Sequence, residues 1–191
     1  MIRLVMLGGP GSGKGTQSQQ IAEGLHLSVI ATGDILRTAM ASGSSFGCQA
    51  KEFVERGELV PDMMMIEFMR ERLQQPDGER GWILEGYPRT AFQAEELDFL
   101  LEDLHQSLDW AIYLQVSEKV MIERSLARGN VDDLPEIIQR RIELFHQRTI
   151  PILEYYQHKK KLLNIPAEGK PQEVKEEILS QLKQLNLSQL V

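Results

Sequence analysis

The stretch Leu4-Val5-Met6-Leu7-Gly8-Gly9-Pro10-Gly11-Ser12-Gly13-Lys14-Gly15-Thr16 decides how this chain folds. An apolar run stops at a glycine-rich loop, and helical periodicity starts beyond the lysine. Strand, loop, then helix is the setting a phosphate-binding loop requires. Glycines let the backbone close tightly with its N–H groups turned inward, where side chains would block phosphates. The following helix adds unpaired N–H groups and its positive dipole end. Lys14 supplies a full charge, and Gly11, Ser12, Gly13, Gly15 and Thr16 complete the expected triphosphate cradle. Gly15 stands where Ser or Thr commonly follows the lysine, and the hydroxyl comes one residue later at Thr16. Five glycines in nine residues, 8–16, make an empty tight turn a poor alternative.

Outward from this loop, short apolar runs alternate with amphipathic stretches. Residues 4–7, 27–30, 82–84, 110–116 and 162–165 read as strands. Helical period covers about 16–24, 35–41, 46–56, 61–73, 90–104, 117–128, 135–158 and 172–186. Such alternation indicates βαβ units and a parallel sheet, so the fold class is α/β, a three-layer P-loop NTPase type. The strand runs are apolar throughout, which fits a sheet covered on both faces. Two excursions leave the alternating pattern: residues 31–60, broken by Ser42-Gly43-Ser44-Ser45, and the polar break 129–134. In α/β sheets sites gather at the carboxyl ends of strands, so both are candidate substrate covers.

The 191 residues are enough for one sizeable core and too few for two ordinary domains, so 1–191 is read as one domain. A hydrophobic share of 42% and a charged share of 26% are those of a globular chain. The net charge of −7 argues against nucleic acid or an anionic membrane as main partner. Polyanionic ligands therefore need a local basic pocket. Cys48 is the sole cysteine, which leaves no multi-cysteine zinc site and fits a reducing compartment; its bland reading is a small packing residue. The first apolar run is too short for a signal peptide, and a cytoplasmic protein is expected. His26, His105, His146 and His158 are scattered without metal-ligand spacing.

The variant Lys14-Gly15-Thr16, with the glycines before it, resembles the adenylate kinase family. Thr32-Gly33-Asp34-Ile35-Leu36-Arg37 is similar to that family's monophosphate entry, and Gly57-Glu58-Leu59-Val60-Pro61-Asp62 to its second half. Glu85-Gly86-Tyr87-Pro88-Arg89-Thr90, with Gln93 beyond it, resembles the family signature. The resemblance implies a five-stranded parallel sheet, a monophosphate-binding insert at about 31–60 and a short lid at about 129–134. It implies a monomer, with ATP, AMP and ADP as ligands. Arg37 and Arg89 then match arginines that hold the AMP phosphate. Thr32, Gly33, Glu58, Leu59, Val60, Gly86, Tyr87, Pro88 and Gln93 surround the acceptor nucleotide. Lys170 falls near a position that meets the ATP adenine through backbone. Glu85 departs from the family's usual Asp, which holds water on Mg²⁺; Glu keeps the charge on a longer stem, so Mg²⁺ dependence survives.

Arg124 and Arg128 are four apart and share a helix face. Arg141 lies inside the stripe Ile137, Ile138, Ile142, Phe145 and Ile152, where an inward guanidinium needs a counter-charge such as a bound phosphate. Arg140, four after Glu136, is explained by a surface ion pair. The family comparison matches Arg124, Arg128 and Arg141 to arginines that clamp the transferred phosphoryl group, with Arg141 also on the acceptor side. The rival readings are a pyrimidine (UMP/CMP) kinase of the same architecture and a nucleotide-binding regulator with weakened catalysis. Thr32, Thr90 and Gln93 favour AMP over pyrimidines, and the retained arginines favour an enzyme over a regulator.

Short-lid relatives carry a further Arg just before the motif matching Val131-Asp132-Asp133, where this chain has Asn130 and a shorter lid. A lost charge on the transferred group costs on the order of a few powers of ten in rate unless another residue compensates, with Arg140 a candidate. The expected outcome is reduced turnover with measurable ATP hydrolysis in an ATP-only assay, and partial recovery in Asn130→Arg. A turnover usual for such kinases without any leak refutes this.

Overall fold

A computed structural model describes residues 1–130 and 133–188, with side chains through residue 185. Five parallel strands, β1 (Arg3–Leu7), β2 (Ser28–Ala31), β3 (Trp82–Glu85), β4 (Trp110–Gln115) and β5 (Leu162–Pro166), form one sheet in the order β2-β3-β1-β4-β5. Val5 lies opposite Leu84 on one side and Ala111 on the other, so β1 is central. The sheet and its strand positions agree with the sequence reading to within a residue or two.

Alternate residues of β1 enter opposite cores, as the two-residue strand period demands. Leu4 and Met6 meet α1 (Lys14–Leu25) and α9 (Pro171–Ser188) through Ile21, Ile178 and Leu182. Val5 and Leu7 face α4 (Asp62–Leu73), α5 (Ala91–Asp103) and α8 (Ile150–His158) through Met69, Leu97 and Tyr156. Both faces are thus dry, which is why the strand runs carry no polar alternation. A smaller cluster of Met121, Ile138, Ile142 and Phe145 joins α6 (Glu118–Arg128) to α7 (Pro135–Leu144).

The excursion after β2 is a helical hairpin of α2 (Thr32–Ala41) and α3 (Ser45–Glu55). Ser44 caps α3 by accepting from the Gly47 N–H at 3.1 Å. Helix α2 begins at Thr32, three residues earlier than the periodicity suggested, so Thr32-Gly33-Asp34 is its first turn. Cys48 is exposed on α3, its Sγ donating to the Gly43 carbonyl at 3.6 Å, and is not the buried packing residue expected. In the other cover Asn130 and Asp133 are joined backbone to backbone at 3.0 Å. Val131 and Asp132 of the expected lid lie outside the described residues.

The amphipathic run 135–158 is not one regular helix. Between α7 and α8, Phe145–Thr149 make a wide turn in which the Ile150 N–H reaches the Phe145 carbonyl. Pro151 explains it: the ring has no N–H to give and would press on the carbonyl four residues back, so the helix widens.

Gly47 lets α2 and α3 touch. A Cβ there would stand 2.1 Å from the Ala39 carbonyl oxygen. Gly47→Ala is therefore expected to destabilise the protein by about 1–3 kcal/mol through forced separation of the hairpin. Urea denaturation checks this, and an unchanged midpoint contradicts it.

Candidate active site

The loop between β1 and α1 folds back on its own lysine. Lys14 Nζ donates to the carbonyls of Gly8 at 2.9 Å and Gly9 at 2.7 Å, with Ser12 Oγ at 3.5 Å. Gly11 adopts φ 70°, and a Cβ on it would stand 2.4 Å from the Met121 carbonyl oxygen, so no other residue fits against α6. Helix α1 starts at Lys14 with no side-chain cap, which leaves its first N–H groups for an anion.

A cleft opens at the carboxyl ends of the strands. Its walls bring Lys14, Glu85, Arg89, Arg128 and Arg141 together with Thr32, Gly33, Arg37, Glu58, Leu59, Val60, Gly86, Pro88 and Gln93. The sequence motifs, up to 127 positions apart in the chain, therefore meet in one place. The cations are felt at Lys14. Burial of its ammonium pushes the pKa down from 10.5 to about 7, the Glu85 carboxylate opposes this, and Arg89, Arg141 and Arg128 add to it. The residue as a whole keeps some accessible surface, but its nitrogen is enclosed by the loop.

Glu85 ends β3 beside the loop: a Cβ on Gly15 would stand 3.6 Å from Glu85 Oε2. At the same strand ends Thr32 donates to the Glu85 carbonyl at 3.0 Å. Gly86, at φ 83°, leaves no room for a Cβ, which would meet Thr32 Oγ1 at 2.4 Å. Arg89 is held by its Nε donating to the Gly86 carbonyl at 2.8 Å, and its own carbonyl accepts from Thr149 Oγ1 at 3.0 Å. Gln93 Oε1 accepts from the Arg89 N–H at 2.8 Å and Nε2 donates to Asp62 Oδ1 at 2.8 Å. One N–H and one lone pair of that amide remain for a ligand. Arg37 meets Asp34 at 2.5 Å and lies along Gly33.

Asp133 organises the other wall. Its side chain is 1% exposed and accepts from Arg128 Nε at 2.9 Å and Nη2 at 2.6 Å, from Arg141 Nη1 at 3.3 Å and from the Asn130 N–H at 3.0 Å. Burial alone would raise this carboxyl, but those bonds and the two guanidinium charges hold it below the usual range. The counter-charge expected for Arg141 is thus built into the protein, where the sequence offered only a bound phosphate.

A second cavity lies on the far side of the loop, lined by Ser12, Gly13, Thr16, Gln17, Arg124, Ala167, Gly169 and Pro171. Arg124 donates to the carbonyls of Ala167 at 3.0 Å and Glu168 at 3.1 Å. It therefore stands apart from the cations around Lys14, a correction to its expected place on the transferred group. Gln17, which the sequence reading passed over, is 3% exposed and ties α1 to the start of α9 by donating to the Pro171 carbonyl at 2.9 Å.

Two further expectations need correction, those for Tyr87 and Arg140. Tyr87 is 1% exposed, donates to the Gln93 carbonyl at 3.3 Å and belongs to the core, not the cleft wall. Lys170, expected near the ATP adenine through its backbone, has an exposed side chain and lies between Gly169 and Pro171, which line the second cavity. Arg140 pairs not with Glu136 but with Glu58 at 2.7 Å and Glu143 at 3.3 Å. Asp133, Asp62 and Thr149 joined the site without local signals beyond polar residues near the motifs.

Comparison with known proteins gives one answer. The adenylate kinase family profile matches residues 6–161. Adenylate kinase 2 of Synechocystis sp. is 59% identical over 181 residues, covering 95% of this chain and all of that protein. Adenylate kinase 2 of Nostoc sp. is 56% identical over 181 residues, covering 95% and 98%. Adenylate kinase of Corynebacterium urealyticum is 40% identical over 181 residues, covering 95% and 99%.

The depressed Lys14 pKa has a sign that can be measured. The unfolded chain binds the Lys14 proton up to about 10.5, the folded protein only to about 7. Between these values the unfolded state holds more protons, so this group makes stability rise with pH; its penalty is complete below pH 7. A bound triphosphate restores the charge. ATP binding at pH 8 is therefore expected to take up close to ~1 proton, fading toward pH 6, and Lys14→Met abolishes the uptake. Calorimetry in buffers of different ionisation enthalpy reads it; a buffer-independent enthalpy at pH 8 refutes it.

Proposed function

The chain belongs to the adenylate kinase family, and from that premise we propose how its residues divide the work of phosphoryl transfer. It is an ATP:AMP phosphotransferase, catalysing ATP + AMP ⇌ 2 ADP. AMP occupies the large cleft, its phosphate on Arg37 and Arg89 and its base between Thr32, the 58–60 segment and Gln93. ATP lies across the glycine loop. Its phosphates sit on the Gly11–Thr16 backbone and Lys14, and its nucleoside fills the second cavity beside Arg124, Gly169 and Pro171. The γ-phosphoryl group then falls between Lys14, Arg89, Arg128 and Arg141. Convergence of these four cations on one cleft carries the assignment.

Little covalent chemistry is asked of the protein. The transition state spreads negative charge over the equatorial oxygens of the moving group, and fixed cations in a desolvated cleft stabilise it. The excursions at about 31–60 and 129–134 act as acceptor cover and lid, excluding water while the group moves.

Mg²⁺ enters with ATP. Among the described residues no cluster of three or more His, Cys, Asp or Glu could hold a metal alone. The lone Glu85 carboxylate beside Gly15 fits an ion held mostly by phosphates and water, with Glu85 orienting that water. Glu85 would hold the ion's water shell, and the ion would supply positive charge against the donor phosphates.

Among the described residues no helix is long and apolar enough to cross a membrane. The lone cysteine and acidic surface support a cytoplasmic monomer.

A coupled assay with ATP and each of AMP, CMP, UMP and GMP tests the reading. AMP is expected as the preferred acceptor, and Arg141→Ala or Arg89→Ala is expected to lower kcat on the order of 10²–10³-fold. Equal or faster turnover of CMP or UMP transfers the chain to the pyrimidine kinases.

A further inference from the structure

Arg140 and Arg141 are neighbours in α7 but face different partners. Arg141 turns to Asp133 and the cleft around Lys14. Arg140 turns the other way, and its Nε donates to Glu58 Oε1 at 2.7 Å across 82 residues of sequence. That bond, first among the causes, holds the Glu58 carboxyl below its usual range. Glu58 follows the turn that ends the α2–α3 hairpin: the Gly57 N–H reaches the Val54 carbonyl at 3.0 Å and the Glu58 N–H the Phe53 carbonyl at 2.9 Å.

A second contact stands beside the ion pair. Gly57, at φ 70°, lies against α7 so closely that a Cβ would stand 3.0 Å from Ile137 Cγ2 and 3.0 Å from the Ile137 carbonyl oxygen, with Arg140 Cβ at 3.5 Å. Ile137 and Arg140 are three apart and present one helix face. The segment leaving the hairpin is thus docked on α7 by a glycine contact and a charged hydrogen bond. Glu58, Leu59 and Val60 then continue as wall of the cleft.

We infer that the Arg140–Glu58 pair is a latch that ties the monophosphate insert to α7, and that Arg140 is a positioning residue for the acceptor nucleotide. This rests on the large cleft being the AMP site. Arg140 is not the cation that replaces the missing lid arginine, because Glu58 and Glu143 engage its guanidinium. Its action passes through the 58–60 segment: holding Glu58 fixes the wall against which the base lies, and the same helix carries Arg141 toward the phosphates. Acceptor binding and α7 position are thereby coupled, while the donor cavity, walled by Arg124, Gln17 and the 167–171 loop, is not touched.

Arg140→Gln removes the charge and keeps most of the side-chain length. It is expected to raise KM for AMP on the order of two- to fivefold, the range of a half-exposed ion pair, with KM for ATP and kcat within about twofold of wild type. Hydrogen exchange of the ligand-free protein is expected to quicken at amides of residues 53–60 and not in β1 or β4. The reversed pair, Arg140→Glu with Glu58→Arg, should slow that exchange again relative to Arg140→Glu alone. Exchange reads the latch without turnover, so a protein inactive on AMP would sink the functional reading and leave this test standing. Wild-type exchange at 53–60, an unmoved KM for AMP, an equal rise in both KM values, or no recovery in the reversed pair each overturns the inference.

Discussion

The fold is arranged around an ammonium group taken out of water. Lys14 Nζ rests on two carbonyls of its own loop, so the charge is enclosed before any ligand arrives. Such a group is costly to bury and is further opposed by three arginines. A protein with seven excess negative charges tolerates this because two carboxylates are placed to offset it. Glu85 acts on Lys14 from β3, and Asp133 holds Arg128 and Arg141 from the lid side. The cleft is positive locally and balanced regionally. A phosphate dianion entering it relieves repulsion that the apo protein must sustain, which is the condition for strong differential binding of transferred charge.

Position follows from topology. The parallel sheet turns every strand's carboxyl end to the same edge, so the glycine loop after β1, Thr32 after β2 and Gly86 to Arg89 after β3 become neighbours without any long-range steering. Arg128 at the end of α6 and Arg141 of α7 join them in the cleft at this edge. Hydrogen bonds from Thr149 to the Arg89 carbonyl and from Gln93 to Asp62 fix the details.

What the sequence disclosed, and what it withheld, divide along the range of the interactions. Strand positions and the glycine loop were legible because hydrophobic period and backbone freedom are local properties. The motifs of the acceptor side were legible by resemblance, and the structure assembles nearly all of them. Arg140 was misjudged because Glu136 lies at helical spacing, whereas the true partner Glu58 arrives through the fold. Tyr87 shared a motif with pocket residues, yet past the left-handed turn at Gly86 (φ 83°) it packs into the core. Arg141 was read correctly as needing a counter-charge, but that Asp133 serves two arginines at once has no signature in spacing. The break in 135–158 could have been found: Pro151 announces it.

That wide turn at 145–149 sets an angular phase. Upstream, the rod presents Arg141 to the cleft and Arg140 to Glu58; at the turn itself Thr149 fastens Arg89; downstream, Ile152 and Tyr156 sink into the core. A regular helix advances about 100° per residue, so one residue more or fewer would swing one of these groups off its mark. The spacing between Arg141 and Ile152 is therefore a gear ratio, fixed by count more than by chemistry. Side chains along this rod can be exchanged with graded loss, but its length cannot.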